Sequence, residues 1–310
     1  MKKRKLAKEV YTLTDLQNWR EATRDIDPPI RLGIFGDPVA HSLSPQIQNA
    51  ALRDDKVQYA RFQISPKELR DALNRVRELD FIGVNLTVPH KIAALQFVDD
   101  VDESARRIGA LNTVKIDNGK LRGHNTDGKG FSRAIREEFS VDLRDLRIMI
   151  LGAGGAARAI ALQCAKESCE RLVIANRTFE RAKKLTDELR DLFAGPKVLG
   201  PVARLQAIPW EENAFRFQIA NVDLIVNATP LGLNRSDPSP IPSRLLAPHL
   251  MIYDTVYAEP HTPFISAAIE SGARGVNGLS MLLHQGALAF EIWFGREAPI
   301  DAMREAVAVR

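Results

Sequence analysis

Two kinds of residue cluster in this chain have the makings of a site. The first is polar and recurs: His41-Ser42-Leu43-Ser44-Pro45, then Asn85-Leu86-Thr87-Val88-Pro89-His90-Lys91, then Gly109-Ala110-Leu111-Asn112-Thr113 with Asn125-Thr126-Asp127. Together they offer hydroxyls, amides, one ammonium and one carboxylate, the groups a small polyhydroxylated acid needs for binding. Taken singly, each such residue is more often a turn former or a helix cap. The second cluster is Gly152-Ala153-Gly154-Gly155-Ala156-Ala157, which follows a strand-like run and opens a helix-like one. Its glycines let the backbone approach a pyrophosphate, and the helix start supplies unpaired N–H groups and a favourable dipole. A tight strand-to-helix turn without a ligand would use the same residues, but the strand–turn–helix context favours a dinucleotide.

The end of the following strand bears on which dinucleotide. NAD sites usually place Asp or Glu there, about 20 residues on, against the ribose 2′-hydroxyl. Here the chain reads Asn176-Arg177-Thr178-Phe179-Glu180-Arg181, with no carboxylate at the strand end. Arg177 and Arg181 lie one helical turn apart, and guanidinium suits bidentate contact with phosphate. The expectation is therefore a 2′-phosphate, hence NADP; the alternative is that both arginines merely cover a helix start. No metal site is expected, because the histidines show no ligand spacing and Cys164 and Cys169 have no nearby His.

These clusters need elements that end beside them. Arg31 to Phe35 reads as a buried strand, and Ser44-Pro45 as an N-cap with proline at the first helical position. Tyr59 to Ile64 reads as a second strand, after which Ser65-Pro66-Lys67-Glu68 opens a helix with a capping box. Phe81 to Thr87 is a third strand and Pro89 starts another helix. Asp117-Asn118-Gly119 joins Val114–Ile116 to Lys120–Arg122 as a hairpin. A second series begins with a strand from Arg147 to Leu151, a helix to Glu167 and a strand from Arg171 to Ala175. Further strands are Asp223–Asn227, Met251–Thr255 and one near Gly275. This alternation predicts an α/β fold with parallel sheets covered by helices on both faces. Gly278 to Gly295 reads as an apolar helix that returns to the first domain.

The domain boundaries expected are an extension over 1–30, a substrate domain over 31–129 completed by 278–310, and a doubly wound Rossmann-type dinucleotide domain over 130–277. Within the extension, Leu16, Trp19 and Ala22 have helical spacing after Thr14-Asp15, predicting a short docking helix. Lys2-Lys3-Arg4-Lys5 reads as a solvated tail.

Composition agrees with this and excludes other classes. A chain of 310 residues is about two domains. At 45% hydrophobic and 26% charged it is an ordinary globular sequence, and its net charge of +4 is not gathered into a nucleic-acid track. No apolar run approaches the ~20 residues of a membrane span, and the basic N-terminus has no apolar stretch behind it. Two cysteines cannot make a disulfide framework, so reduced thiols are expected. The reading is a cytoplasmic protein with a small-molecule substrate and no nucleic-acid or membrane partner.

From Arg31 to Gly295 the chain carries, in order, Gly36-Asp37-Pro38-Val39-Ala40-His41-Ser42-Leu43-Ser44-Pro45, Asn85 to Lys91, Gly109 to Thr113 and Asn125-Thr126-Asp127-Gly128. There follow Gly152 to Ala156, Asn176-Arg177-Thr178, Asn227-Ala228-Thr229-Pro230-Leu231-Gly232, Asp254-Thr255-Val256-Tyr257, and Gly278-Leu279-Ser280-Met281-Leu282 with Gln285-Gly286-Ala287. In this series the sequence resembles the shikimate dehydrogenase family. The resemblance implies NADP-dependent, reversible reduction of 3-dehydroshikimate to shikimate, a step towards chorismate and the aromatic amino acids. It implies that Ser42 and Ser44 hold the substrate carboxylate, and that Asn85, Thr87, Asn112, Tyr257 and Gln285 contact the ring hydroxyls. Lys91 and Asp127 would be the catalytic pair at the reacting oxygen, where hydride addition to a ketone leaves an alkoxide that must gain a proton. Around the nucleotide it places Gly152, Ala153, Gly154, Gly155, Ala156, Asn176, Arg177, Thr178, Arg181, Asn227, Thr229, Thr255 and Gly278. The matching motifs give His41 and His90 no role as bases.

Some features depart from the commonest pattern. After Ser-Pro the family often has His-Asn, whereas here Gln48-Asn49 stands, as in a quinate-accepting branch. A quinate/shikimate dehydrogenase of relaxed substrate range is therefore an alternative. A non-catalytic NADP-binding regulatory homologue is another, although such a protein would have little reason to keep Lys91 and Asp127. Tyr11-Thr12-Leu13 and Asp27-Pro28 are similar to the junction found where a dehydroquinate dehydratase precedes this enzyme, which makes that enzyme a candidate functional partner. Monomer and homodimer are both open.

Overall fold

The structure, a computed structural model, describes residues 8–194, 203–234, 236–257 and 261–308, so the basic run Lys2–Lys5 lies outside the described residues. The chain divides into two units, Met1–Thr126 with Leu283–Arg310, and Asp127–Leu282.

The first unit begins with β1 (Tyr11–Thr12), α1 (Leu13–Gln17) and α2 (Trp19–Ala22). Then come β2 (Ile30–Gly36), α3 (Ser44–Ala51), β3 (Gln58–Gln63), α4 (Leu69–Glu78), β4 (Gly83–Leu86) and α5 (His90–Ala93). The series ends with β5 (Asp100–Val101), α6 (Glu103–Ile108), β6 (Thr113–Asp117) and β7 (Lys120–His124). The sheet order is β1-β3-β2-β4-β6-β7-β5. It is mixed, as the hairpin read at Asp117-Asn118-Gly119 requires. β1, β3, β2 and β4 run parallel, but β6 is antiparallel to both β4 and β7. The reversal between β6 and β7 is local: Asn118 and Gly119 take φ of 50° and 72°, the left-handed pair that closes a tight hairpin.

The described residues before β2 pack on the first sheet. Tyr11 pairs with Phe62 at the edge of this sheet, and the rings of Tyr11, Trp19, Phe62 and Phe81 pack at centroid distances of 5.4 to 5.9 Å. Their helix starts earlier than expected, because Thr12 and Asp15 form a reciprocal capping box, and it breaks at Asn18. Two other caps also differ. Ser44 is the first residue inside α3, with Leu43 at the N-cap, so its hydroxyl does not close the helix. At Ser65 only half of the box forms: the Ser65 N–H donates to Glu68 Oε2 at 2.8 Å across a turn, and α4 starts at Leu69.

The second unit comprises α7 (Asp127–Phe139), β8 (Arg147–Leu151), α8 (Gly155–Lys166), β9 (Arg171–Asn176), α9 (Phe179–Leu189) and β10 (Leu205–Pro209). It continues through α10 (Glu212–Ile219), β11 (Leu224–Asn227), β12 (Met251–Asp254), α11 (Pro263–Glu270) and β13 (Arg274–Val276). All six strands are parallel, in the order β10-β9-β8-β11-β12-β13. Counted from β8, this is the 3-2-1-4-5-6 order of a doubly wound dinucleotide fold. Its four central strands, β9, β8, β11 and β12, are almost completely buried, which is why they read as continuous apolar runs.

Last come α12 (Leu279–Phe294) and α13 (Ile300–Glu305). The later turns of α12 are anchored to the first sheet: Trp293 Nε1 donates to the Val114 carbonyl at 3.0 Å and Lys115 Nζ to the Ile292 carbonyl at 2.9 Å. Among the described residues no helix is long and apolar enough to cross a membrane.

Candidate active site

In the first unit β2 lies between β3 and β4, so the chain leaves β2 towards one neighbour and later returns on its other side. At such a switch point the loops beyond the strand ends diverge and leave a crevice. The loop after β2 carries Ser42 and leads into α3, which opens on Ser44, and the loop after β4 carries Thr87 and leads into α5, which holds Lys91. Both serines are buried, and the Ser44 N–H donates to Ser42 Oγ at 3.3 Å. The loop is held by Arg61 of β3, whose Nε and Nη2 donate to the Ser42 carbonyl at 3.1 and 2.8 Å. The two loops are tied together, because the Asp37 N–H donates to the Val88 carbonyl at 3.1 Å.

Lys91 is half-buried in α5, and its carbonyl accepts from the Leu111 N–H at 2.8 Å. Its neighbour His90 is fully buried, with Nε2 donating to the Ile64 carbonyl at 2.7 Å. Burial lowers the His90 pKa and keeps the ring neutral, so this residue anchors the loop to the end of β3. His41 is exposed. Asn85 and Asn112 are buried and bonded to each other: Asn85 Nδ2 donates to the Asn112 carbonyl at 3.2 Å. Asn112 Nδ2 in turn donates to Gln285 Oε1 of α12 at 3.2 Å. Gln48 lies inside the first unit, donating from Nε2 to the Gly286 carbonyl at 2.9 Å.

In the second unit Asp127 is the first residue of α7 and is buried. The turn from β8 into α8 has the form a pyrophosphate requires. Gly152 has φ of +116°, and a Cβ there would stand 2.8 Å from the Ala228 carbonyl oxygen, so only glycine fits. Gly154 is the N-cap of α8 and has open space where a side chain would be. The first N–H groups of α8 therefore face an unobstructed approach. At the end of β9, Asn176 Nδ2 donates to the Thr178 carbonyl at 2.9 Å, and Arg177, Thr178 and Arg181 are exposed around the start of α9. Ala153, Gly155 and Ala156 are partly exposed along the same turn.

The loops after β11 and β12 are joined by one buried network. Asn227 Nδ2 donates to Asp254 Oδ1 and to the Leu231 carbonyl, both at 2.9 Å, while its Oδ1 accepts from Thr229 Oγ1 at 2.7 Å. Asp254 also accepts from the Val256 N–H at 3.1 Å and from Thr262 Oγ1 at 2.6 Å. Burial pushes the Asp254 carboxyl up to about 6, against these three donors. The side chain of Asn227 thus joins the loops after β11 and β12. A close approach fixes the rest: a Cβ on Gly278 would lie 2.2 Å from the Thr255 carbonyl oxygen. Tyr257 is half-buried at the end of this segment.

The structure brings Ser42, Ser44, Asn85, Thr87, Lys91, Asn112 and Gln285 into the first unit, and Asp127, Tyr257 and the nucleotide-turn residues into the second. Arg61 and Tyr59 are polar groups of these sites that lie outside the sequence motifs, whereas Asp254 opens one of them. Tyr59 and Arg61 recur at the strand period in β3, which is the one local signal that could have found them.

A 3-2-1-4-5-6 parallel sheet with this glycine turn, joined to a second α/β unit that carries a polar crevice and a lysine, defines an oxidoreductase of the dinucleotide-dependent class. The chain belongs to the shikimate dehydrogenase family. Residues 34–114 match the shikimate dehydrogenase substrate binding domain, 133–197 the shikimate / quinate 5-dehydrogenase family, and 278–308 the shikimate 5′-dehydrogenase C-terminal domain. The chain is 42% identical over 280 residues to the shikimate dehydrogenase (NADP(+)) of Methanopyrus kandleri, covering 89% of this chain and 94% of that one. Shikimate dehydrogenase from Aquifex aeolicus superposes with a TM-score of 0.80 at 35% identity, covering 90% and 98% of the two chains. The Thermus thermophilus enzyme, in complex with NADP(H) and shikimate, gives 0.76 at 37% identity, covering 89% and 98%.

Proposed function

We propose that this chain catalyses the NADP-dependent, reversible reduction of 3-dehydroshikimate to shikimate, and so serves the synthesis of chorismate and the aromatic amino acids. The observation that carries the reading is a combination within one member of this family. Buried serine and amide side chains at the strand ends beside the half-buried Lys91 accompany a glycine turn and, after the neighbouring strand, the exposed Arg177 and Arg181. The same reading takes the enzyme as cytoplasmic.

The roles follow from chemistry at each position. Ser42 and Ser44 donate hydroxyl hydrogen bonds to the substrate carboxylate from a loop held rigid by Arg61. Asn85, Thr87, Asn112, Tyr257 and Gln285 meet the ring hydroxyls, each of which needs both a donor and an acceptor. Lys91 delivers the proton to the oxygen formed at the reacting carbon and takes it back in the oxidative direction, with Asp127 as its assigned partner. Gly152 to Ala156 and the start of α8 hold the pyrophosphate, and Arg177 and Arg181 hold the 2′-phosphate, with Asn176 and Thr178 shaping that turn. Thr229, Thr255 and Gly278 complete the wall around the nicotinamide, and Asn227 positions them. NADPH supplies the hydride when bound.

The test is a spectrophotometric panel of shikimate and quinate, each with NADP and NAD, compared by kcat/KM. Highest kcat/KM for shikimate with NADP is the expected result. Equal rates with quinate would instead establish the relaxed range that Gln48 suggests, and no turnover of either acid would sink the enzymatic reading.

A further inference from the structure

The buried polar groups of the first unit form a hydrogen-bond chain whose direction is forced at every link. Two backbone groups set it. The Thr126 N–H donates to Asn112 Oδ1 at 2.9 Å, so this oxygen is an acceptor and the amide nitrogen of Asn112 is the donor, to Thr126 Oγ1 at 2.9 Å and to Gln285 Oε1 at 3.2 Å. The Asn112 carbonyl can only accept, and it does so from Asn85 Nδ2 at 3.2 Å, which orients the second amide. Thr113 Oγ1 bridges the two: it receives from Asn85 Nδ2 at 3.1 Å and donates to Asn112 Oδ1 at 3.0 Å. Asn85 Oδ1 is left facing the Tyr59 hydroxyl at 2.8 Å, and because a carboxamide oxygen only accepts, Tyr59 is the donor. Tyr59 and Thr113 are 0% exposed, and Asn85 and Asn112 no more than 4%, so water replaces none of these partners.

We propose that Tyr59 is a positioning residue for the reaction. Its hydroxyl proton starts the chain that locks the amides of Asn85 and Asn112, and through Asn112 the side chain of Gln285, in the orientation presented to the substrate ring. The proposal rests on the reading that these three amides meet the substrate. Tyr59 itself, the second residue of β3 and fully buried, holds Asn85 from within the core. Removing its hydroxyl leaves Asn85 Oδ1 buried without a donor. The amide can regain one only by turning away from the Asn112 carbonyl and Thr113, which frees the next link in turn.

The test compares the full-length wild type with Tyr59→Phe in steady-state assays that vary shikimate and NADP separately. The expected result is a rise of about five- to ten-fold in KM for shikimate, with kcat and KM for NADP changed by less than about two-fold. Thr113→Val breaks the same chain one link on and should give the same split. The double variant should be no worse than the poorer single one, since both remove one coupled unit. An unchanged KM for shikimate in Tyr59→Phe, a parallel rise in KM for NADP, or additive effects in the double variant would each overturn the proposal. If Tyr59→Phe does not fold, Thr113→Ser against Thr113→Val carries the comparison: recovery of wild-type KM by serine supports the chain, and equal defects refute it. A wild type that turns over no shikimate would overturn the functional reading and this inference together, whereas an active wild type with an indifferent Tyr59→Phe removes this inference alone.

Discussion

Asp254 is a carboxylate held where a neutral group would be at less cost. It is 0% exposed, and burial raises its pKa from 3.8 to about 6 despite donors from Asn227, Val256 and Thr262. An aspartate whose folded pKa lies above its ordinary value favours the folded state in its protonated form. That stabilisation is present in full below pH 3.8 and is lost as the pH rises through about 6. The full amplitude is about 3 kcal/mol, of which about 2 kcal/mol falls between pH 4.5 and pH 7.5. Asp254→Asn removes the titration while keeping the acceptor for Asn227 and Val256; only the link to the Thr262 hydroxyl changes its character. Urea unfolding of both proteins across this range isolates the effect, since titrations elsewhere cancel in the difference. Wild type should lose about 2 kcal/mol relative to Asp254→Asn from pH 4.5 to 7.5, with the steepest change on the acid side of pH 6. Parallel stability curves would refute the argument. A wild type that gains on the variant as pH rises would show that the three donors outweigh burial.

Three further outcomes test the assigned roles. Lys91→Ala should lower kcat by about two orders of magnitude or more, with KM for shikimate within about three-fold; unaltered turnover would remove Lys91 from the chemistry. Ser42→Ala combined with Ser44→Ala should raise KM for shikimate about ten-fold or more at little cost in kcat, and an unchanged KM would argue against carboxylate capture by this loop. Arg177→Ala should raise KM for NADP about ten-fold or more and leave KM for NAD in place, so equal effects on the two nucleotides would refute contact with a 2′-phosphate.

The nucleotide half of the fold was the more legible in sequence, for a physical reason. A doubly wound sheet buries its strands on both faces, so β8, β9, β11 and β12 stand as apolar runs, and the glycine turn after β8 marks itself by composition. Elements that escaped notice lack such a signal. β10 is an edge strand that ends on Pro209, and α7 opens with glycines at 128 and 130 that weaken any helical pattern. Gly128 is there because α8 runs close by: a Cβ would stand 2.8 Å from the Ala159 carbonyl oxygen. The mixed character of the first sheet followed from a hairpin that was itself readable at Asn118-Gly119, but whose consequence for strand direction depends on β6 pairing back onto β4.

The same division runs through the candidate site. Residues expected to touch ligands sit in short loops at strand ends, where their neighbours in sequence are also their neighbours in space, so they appear as motifs. Residues that hold those loops and amides do not. Arg61 reaches the Ser42 carbonyl across 19 positions, and Tyr59 reaches Asn85 across 26. Arg61 bonds the loop leaving the neighbouring strand β2, and Tyr59 reaches past β2 from β3 to β4, so each partner is set by sheet order, and sheet order is not written in local spacing. It also explains Ser44. Read locally, Ser-Pro is a cap; in the fold, Leu43 takes the cap and the hydroxyl is not used to close the helix. A serine held in a rigid loop without a capping duty is suited to donate to a carboxylate, and that rigidity comes from Arg61, through hydrogen bonds to the carbonyl of Ser42.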